Sequence, residues 1–151
     1  MNTKNKKGFT LIEALVVIGI IGILATIVLI AINPARQFAQ SRDTQRVANV
    51  NAILNAIGQR IVDNKGIFET GCAAGVIPTT AITIKSGAGG YDMLPCIIPT
   101  YIAALPFDPK TGSYTSDTNY DSSYTVMKDA TTGRITVAVV GEITTPISVT
   151  R

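Results

Sequence analysis

The chain has 151 residues, with 13 Lys and Arg against 10 Asp and Glu, two Cys and no His. Without histidine, a Gly-x-Ser-x-Gly elbow or a phosphate-binding glycine loop, the usual nucleophile, base and nucleotide arrangements are excluded, and no cofactor or small-molecule substrate is called for. The net charge of +3 comes from one end, since Lys4, Lys6 and Lys7 fall in the first eight residues and the rest is balanced, which argues against a generic nucleic-acid binder.

From Phe9 to Ile32 every residue is apolar, small or uncharged except Glu13. As a helix this stretch measures roughly 36 Å, enough to span a hydrocarbon core of about 30 Å with some tilt. It is too long for the apolar region of a secretory signal, and no small-x-small cleavage pattern follows it. An acid at mid-membrane costs about 2.5–3.5 kcal/mol, so Glu13 needs a reason. Gly19, Gly22, Ala25 and Ala31 offer small surfaces where neighbouring helices can approach closely.

Pro34 has no N–H and its ring clashes with the carbonyl of Ile30, which predicts a kink between Ile30 and Pro34. Arg36, Arg42 and Arg46 follow, read as a headgroup-contacting or solvated helix face. Val47, Val50, Leu54, Ile57 and Ile61 then recur at 3-4-3-4 spacing, with Arg46, Asn49, Asn51, Gln59 and Arg60 at the other positions. That is one apolar stripe, too short for a coiled coil and suited to packing on a small sheet. Lys65-Gly66 supplies the stop.

After Gly66 the composition turns to Gly, Thr, Pro and Ser with short alternating runs, which is sheet and loop territory. A short strand is expected in residues 80–85. Residues 123–128 and 134–141 form a predicted hairpin around residues 129–133, with Tyr124, Val126, Ile135, Val137 and Val139 on one face. A third strand is expected in residues 143–150. Cys72 and Cys96 suit either one bridge or two buried thiols; a bridge would close about 25 residues and stabilise by roughly 3–4 kcal/mol, and would place this part outside the cytosol. Asp117, Asn119 and Asp121 alternate as calcium ligands do, but Ser122 and Lys128 stand where an EF-hand needs Gly and Glu, so no metal site is assigned, and a polar turn is the commoner reading. Asp108 and Asp129 are likewise read as turn residues rather than a catalytic pair.

Lys6-Lys7-Gly8-Phe9-Thr10-Leu11-Ile12-Glu13 followed by a long apolar run resembles the class III signal of the type IV pilin and pseudopilin family. The stretch Leu105-Pro106-Phe107-Asp108-Pro109-Lys110-Thr111-Gly112, with Tyr114 and Tyr120 after it, is similar to the turn before the final sheet in many of these proteins. The resemblance implies an α+β pilin fold: leader 1–8, membrane-spanning or filament-core helix 9–32, amphipathic continuation 33–65 and a β-sheet head 66–151. It implies cleavage between Gly8 and Phe9 by a membrane prepilin peptidase and methyltransferase, N-methylation of Phe9, and no catalytic activity of the chain itself. Glu13 then meets the Phe9 amine of a neighbouring subunit and sets filament register. The implied partners are the chain itself, other pilins, an inner-membrane assembly platform and the membrane. The head faces outward from the cytoplasmic membrane and then sits in an extracellular or periplasmic filament. A pseudopilin of a type II secretion or DNA-uptake system is the alternative, with DNA a partner only in the latter case; a membrane-anchored extracytoplasmic binding module is the second.

Overall fold

The computed structural model describes residues 8–151; the lysines at 4, 6 and 7 lie outside the described residues. The chain divides into two compact units, residues 1–38 and 39–151.

In the first unit, helix α1 (Leu11–Ala31) is apolar except for Glu13 in its first turn and Thr26, with mean hydropathy 3.0 and no buried residue. At 1.5 Å per residue its 21 residues rise about 31 Å, so it is long and apolar enough to cross a membrane. The helix is interrupted at Ile32 and Asn33. Proline at the first position of the next helix has no amide hydrogen to lose, and the Asn33 side-chain oxygen accepts from the Arg36 N–H at 3.3 Å, capping α2 (Pro34–Asp63). The expected kink is thus a break between two separately capped helices.

The second unit contains most of α2 packed on an antiparallel sheet. The helix ends at Asp63: Lys65 and Gly66 both take positive φ, and the Gly66 N–H returns to the Ile61 carbonyl at 2.7 Å. That closure satisfies an orphan carbonyl of the last turn. Strand β1 (Ile82–Lys85) comes next, then a single helical turn α3 (Leu94–Ile97), and then β2 (Ser113–Ser116), β3 (Asn119–Lys128), β4 (Ile135–Val139) and β5 (Ile147–Thr150). Their order is β1-β3-β4-β5. Asp121 pairs with Lys85 on one side and Ser113 on the other, so β2 and β4 occupy successive lengths of one edge of β3.

The period-2 alternation of β3 and β4 puts Tyr124, Val126, Ile135, Val137 and Val139 inward, against Val50, Ile53, Leu54 and Ile57 of α2. The strand β3 begins four residues before the predicted start, and its extension buries Tyr120 and Ser122 as well. Ser122 is tolerated inside because its hydroxyl donates to the Ile84 carbonyl at 2.6 Å and accepts from the Tyr124 N–H. Phe68, Ile77, Tyr91, Met93, Leu94, Ile97 and Leu105 close the core from the long connection. Cys72 and Cys96 form a disulfide across that connection, with Cα atoms 5.4 Å apart.

Candidate functional site

The N-terminal turn is built from four residues. Gly8, Phe9 and Thr10 are exposed and non-helical, and α1 starts at Leu11. Thr10 is the N-cap: its hydroxyl accepts from the Glu13 N–H, while the Thr10 N–H and hydroxyl donate to Glu13 Oε2 at 2.9 and 2.7 Å. This is a reciprocal capping box, in which two orphan donors of a helix start are satisfied together. The carboxylate that composition alone leaves unexplained has a local partner. The Gly8–Phe9 peptide bond lies just before it, in exposed, non-helical chain.

A second polar constellation lies in the head. Arg46 is only 2% exposed, and its guanidinium meets Asp108 side-on, with Nε to Oδ2 at 2.5 Å and Nη2 to Oδ1 at 3.1 Å. The remaining nitrogen, Nη1, donates to Asp43 at 2.8 Å and to Glu142 at 2.9 Å. Glu142 also receives both Nε and Nη2 of Arg42, at 2.6 and 2.7 Å. Asp43 accepts three successive backbone N–H groups, from Glu142, Ile143 and Thr144. Asp108 accepts from the N–H groups of Lys110 and Thr111, folding its own turn. The cluster ties α2 to the turn before β2 and to the connection between β4 and β5.

Charge sharing fixes the ionisation of these acids. Burial opposes the charge on Asp108, but the Arg46 guanidinium and the Thr111 and Lys110 amides outweigh it and bring its pKa down to about 2. Burial likewise opposes charge on Asp43, and the three loop amides with Arg46 pull its pKa well below the usual carboxylate range. Arg42, then Arg46, does the same for Glu142. Asp108 and the other acids raise the Arg46 guanidinium against the opposing effect of burial, so it stays charged. Three acids and the cations between them leave no free base, and the arrangement is suited to holding rather than to catalysis.

Arg60 makes a separate junction. It lies buried and donates at 2.7 Å to each of three carbonyls, Phe68, Cys96 and Thr70, with its guanidinium 5.4 Å from the Phe68 ring centroid. One of those carbonyls belongs to Cys96 itself, and Thr70 lies two residues before its disulfide partner Cys72. Among the described residues no buried side-chain nitrogen or oxygen is left without a partner.

Residues 3–29 match the family described as the prokaryotic N-terminal methylation motif. The motif is the class III signal typical of type IV pilins and pseudopilins. No curated protein and no solved structure gave a match to the chain. The N-methylation motif belongs to structural subunits rather than catalysts and implies processing by a prepilin peptidase. It covers Gly8, Phe9 and Glu13, and these three are within one turn of the start of α1. The architecture behind it, a long N-terminal helical region and an antiparallel sheet in an α+β head, is pilin-like.

Several expectations require correction. Arg46 does not lie on a solvated face: Asp43, Arg46, Val50, Ile53, Ile57 and Arg60 fall on one helical stripe, and Asp108 and Glu142 supply the charges that let Arg46 be buried there. Arg60 is buried for the same kind of reason, with carbonyls in place of acids. The signal was present in the sequence, because both arginines keep the 3-4 spacing of the apolar residues. Val47, assigned to the stripe, is exposed instead. Of the alternating oxygen-bearing residues 117, 119 and 121, to which no metal site is assigned, Asp117 and Asp121 are engaged locally. Asn119 and Asp121 belong to β3, Asp121 accepts from the Ser123 N–H, and Asp117 bonds the Tyr114 hydroxyl. Among the described residues there is no group of three or more His, Cys, Asp or Glu placed to hold a metal. The Thr10-x-x-Glu13 box was a further legible signal that length and hydropathy overlooked.

Proposed function

We propose that this chain is a precursor subunit of a type IV pilus-like filament. In this reading a prepilin peptidase cuts between Gly8 and Phe9 and methylates Phe9. The remaining chain is held in the cytoplasmic membrane by α1 and is then polymerised through that helix by an inner-membrane platform. The single observation that carries the reading is α1 itself: a 21-residue helix, apolar but for Glu13 in its first turn and Thr26, without one buried residue and beginning within the stretch that the methylation motif matches. An apolar surface of that length needs lipid or other helices to cover it. Glu13 is the residue assigned to register. Its carboxylate is partnered by Thr10 in the uncut chain; cleavage would create an ammonium on each Phe9, and in a low-dielectric setting the ammonium of a neighbouring subunit is a stronger partner than Thr10. The disulfide of the head supports an extracytoplasmic setting, since such bonds persist in oxidising compartments.

The test is intact mass and N-terminal sequence of the chain from sheared surface material and from membranes of its native host. A chain starting at methylated Phe9 in the sheared fraction is the expected result. A processed chain confined to membranes would indicate the short filament of a secretion or DNA-uptake system. An uncut chain in both fractions would overturn the reading.

A further inference from the structure

The two halves of the Cys72–Cys96 bridge sit in unlike surroundings. Cys96 belongs to the single turn α3, where Leu94 and Ile97 are buried with it, and is only 2% exposed. Cys72 is partly buried, in a connection whose Thr70, Gly71 and Ala73 are exposed. Thiol–disulfide exchange requires one sulfur to reach another, so in the folded chain the two cysteines are not equivalent toward an outside reagent.

Arg60 gathers both sides of the bridge onto α2. Its guanidinium donates to the carbonyls of Phe68 and Thr70, just before Cys72, and to the carbonyl of Cys96 itself. None of these bonds involves sulfur, so none depends on the bridge having formed. Each cysteine also stands on a closed turn of its own, with the Cys72 N–H donating to the Glu69 carbonyl at 2.9 Å and the Cys96 N–H to the Met93 carbonyl at 3.0 Å. Groups held in this way react as neighbours within one molecule, at a high effective concentration.

We infer that Cys72 is the site at which an external disulfide reacts with the folded, reduced chain, and that Cys96 is the resolving thiol, held for the second step by Arg60. The Cys72 thiolate attacks one sulfur of the external disulfide; that S–S bond breaks, a mixed disulfide forms on Cys72, and one thiolate leaves. The Cys96 thiolate then attacks the Cys72 sulfur, closes the bridge and expels the second thiolate. The two protons lost by the cysteines pass through solvent to the two leaving thiolates, and oxidation of two thiols is balanced by reduction of one external disulfide. Arg60 is a positioning residue in this scheme, acting through the backbone of Cys96. The inference concerns the head alone and does not depend on the filament reading.

The experiment uses the full chain in detergent, reduced, freed of reductant and exposed to oxidised glutathione, with adducts located by peptide mass spectrometry. Cys96→Ser is expected to collect glutathione on Cys72 about tenfold faster than Cys72→Ser collects it on Cys96, and the two rates should converge in denaturing urea. Equal rates in the folded chains, or a faster adduct on Cys96, would overturn the assignment. So would a difference that survives in urea, since it would then come from sequence neighbours and not from burial. In the chain with both cysteines, Arg60→Lys should leave adduct formation on Cys72 unchanged and slow its conversion to the bridge about tenfold, so that the mixed disulfide accumulates. A head that was merely loosened would instead expose Cys96 and hasten its adduct when Arg60→Lys is combined with Cys72→Ser. That result, or closure at the normal rate in Arg60→Lys, would remove Arg60 from the step.

Discussion

Arg46 and Asp108, 62 residues apart in sequence, meet side-on through two hydrogen bonds while both are almost fully buried. Each fixes a different element, Arg46 the middle of α2 and Asp108 the turn before β2, so the pair holds the connection between helix and sheet. Replacing one partner leaves the other charge buried and uncompensated, at a cost of about 3–5 kcal/mol. Arg46→Leu and Asp108→Asn are each expected to lose that much in denaturant unfolding of the detergent-solubilised chain. The double variant should lose clearly less than the sum, because the second change removes the stranded partner. Simple additivity would show that the two side chains do not act as a pair.

The same cluster makes stability depend on acid. Asp108, Asp43 and Glu142 all have folded-state pKa values below their unfolded ones, Asp108 at about 2. A depressed carboxylate contributes stability that is fully present above its unfolded value, about 4, and is lost as pH falls through the folded value. The melting temperature of the head is therefore expected to be flat from neutral pH to about 5 and to drop steeply between about 4 and 2. Asp108→Asn should make that drop shallower, and an unchanged slope in the variant would remove Asp108 from the account.

Arg60 caps three carbonyls of a connection that is stapled by Cys72 and Cys96. Arg60→Lys keeps the charge but not the planar fork, so it cannot reach all three acceptors at once. A loss of about 2–4 kcal/mol is expected, since buried carbonyls left unpaired are costly. Removing the disulfide with Cys72→Ser and Cys96→Ser should cost roughly 3–4 kcal/mol by the loop-closure relation for a separation of 24 residues. Urea midpoints measured with and without reductant would check both values.

Glu13 caps α1 through Thr10, and in the filament proposed above it would also supply a charge to an ammonium. Glutamine preserves the first and abolishes the second. If the charge sets filament register, Glu13→Gln should assemble as poorly as Glu13→Ala while both are still cut and methylated at Phe9. Assembly of the glutamine variant at the normal rate would assign Glu13 to helix capping alone. Quantifying sheared filaments against membrane-bound processed chain distinguishes these outcomes.

Local pattern was enough for much of this protein. A 24-residue apolar run can form only a helix that needs an apolar environment, alternation in residues 123–139 can bury only one face of a hairpin, and Thr10-x-x-Glu13 closes on itself within one turn. The methylation motif is equally local, which is why it and the start of α1 were legible from residues alone. The buried charges were not. Whether Arg46 lies in water or in the core depends on Asp108 and Glu142, 62 and 96 residues away, and whether Arg60 is buried depends on carbonyls that a disulfide-closed connection brings to it. An arginine in phase with an apolar stripe is tolerable only when distant acceptors neutralise its desolvation, and only the tertiary fold brings those acceptors within hydrogen-bonding reach.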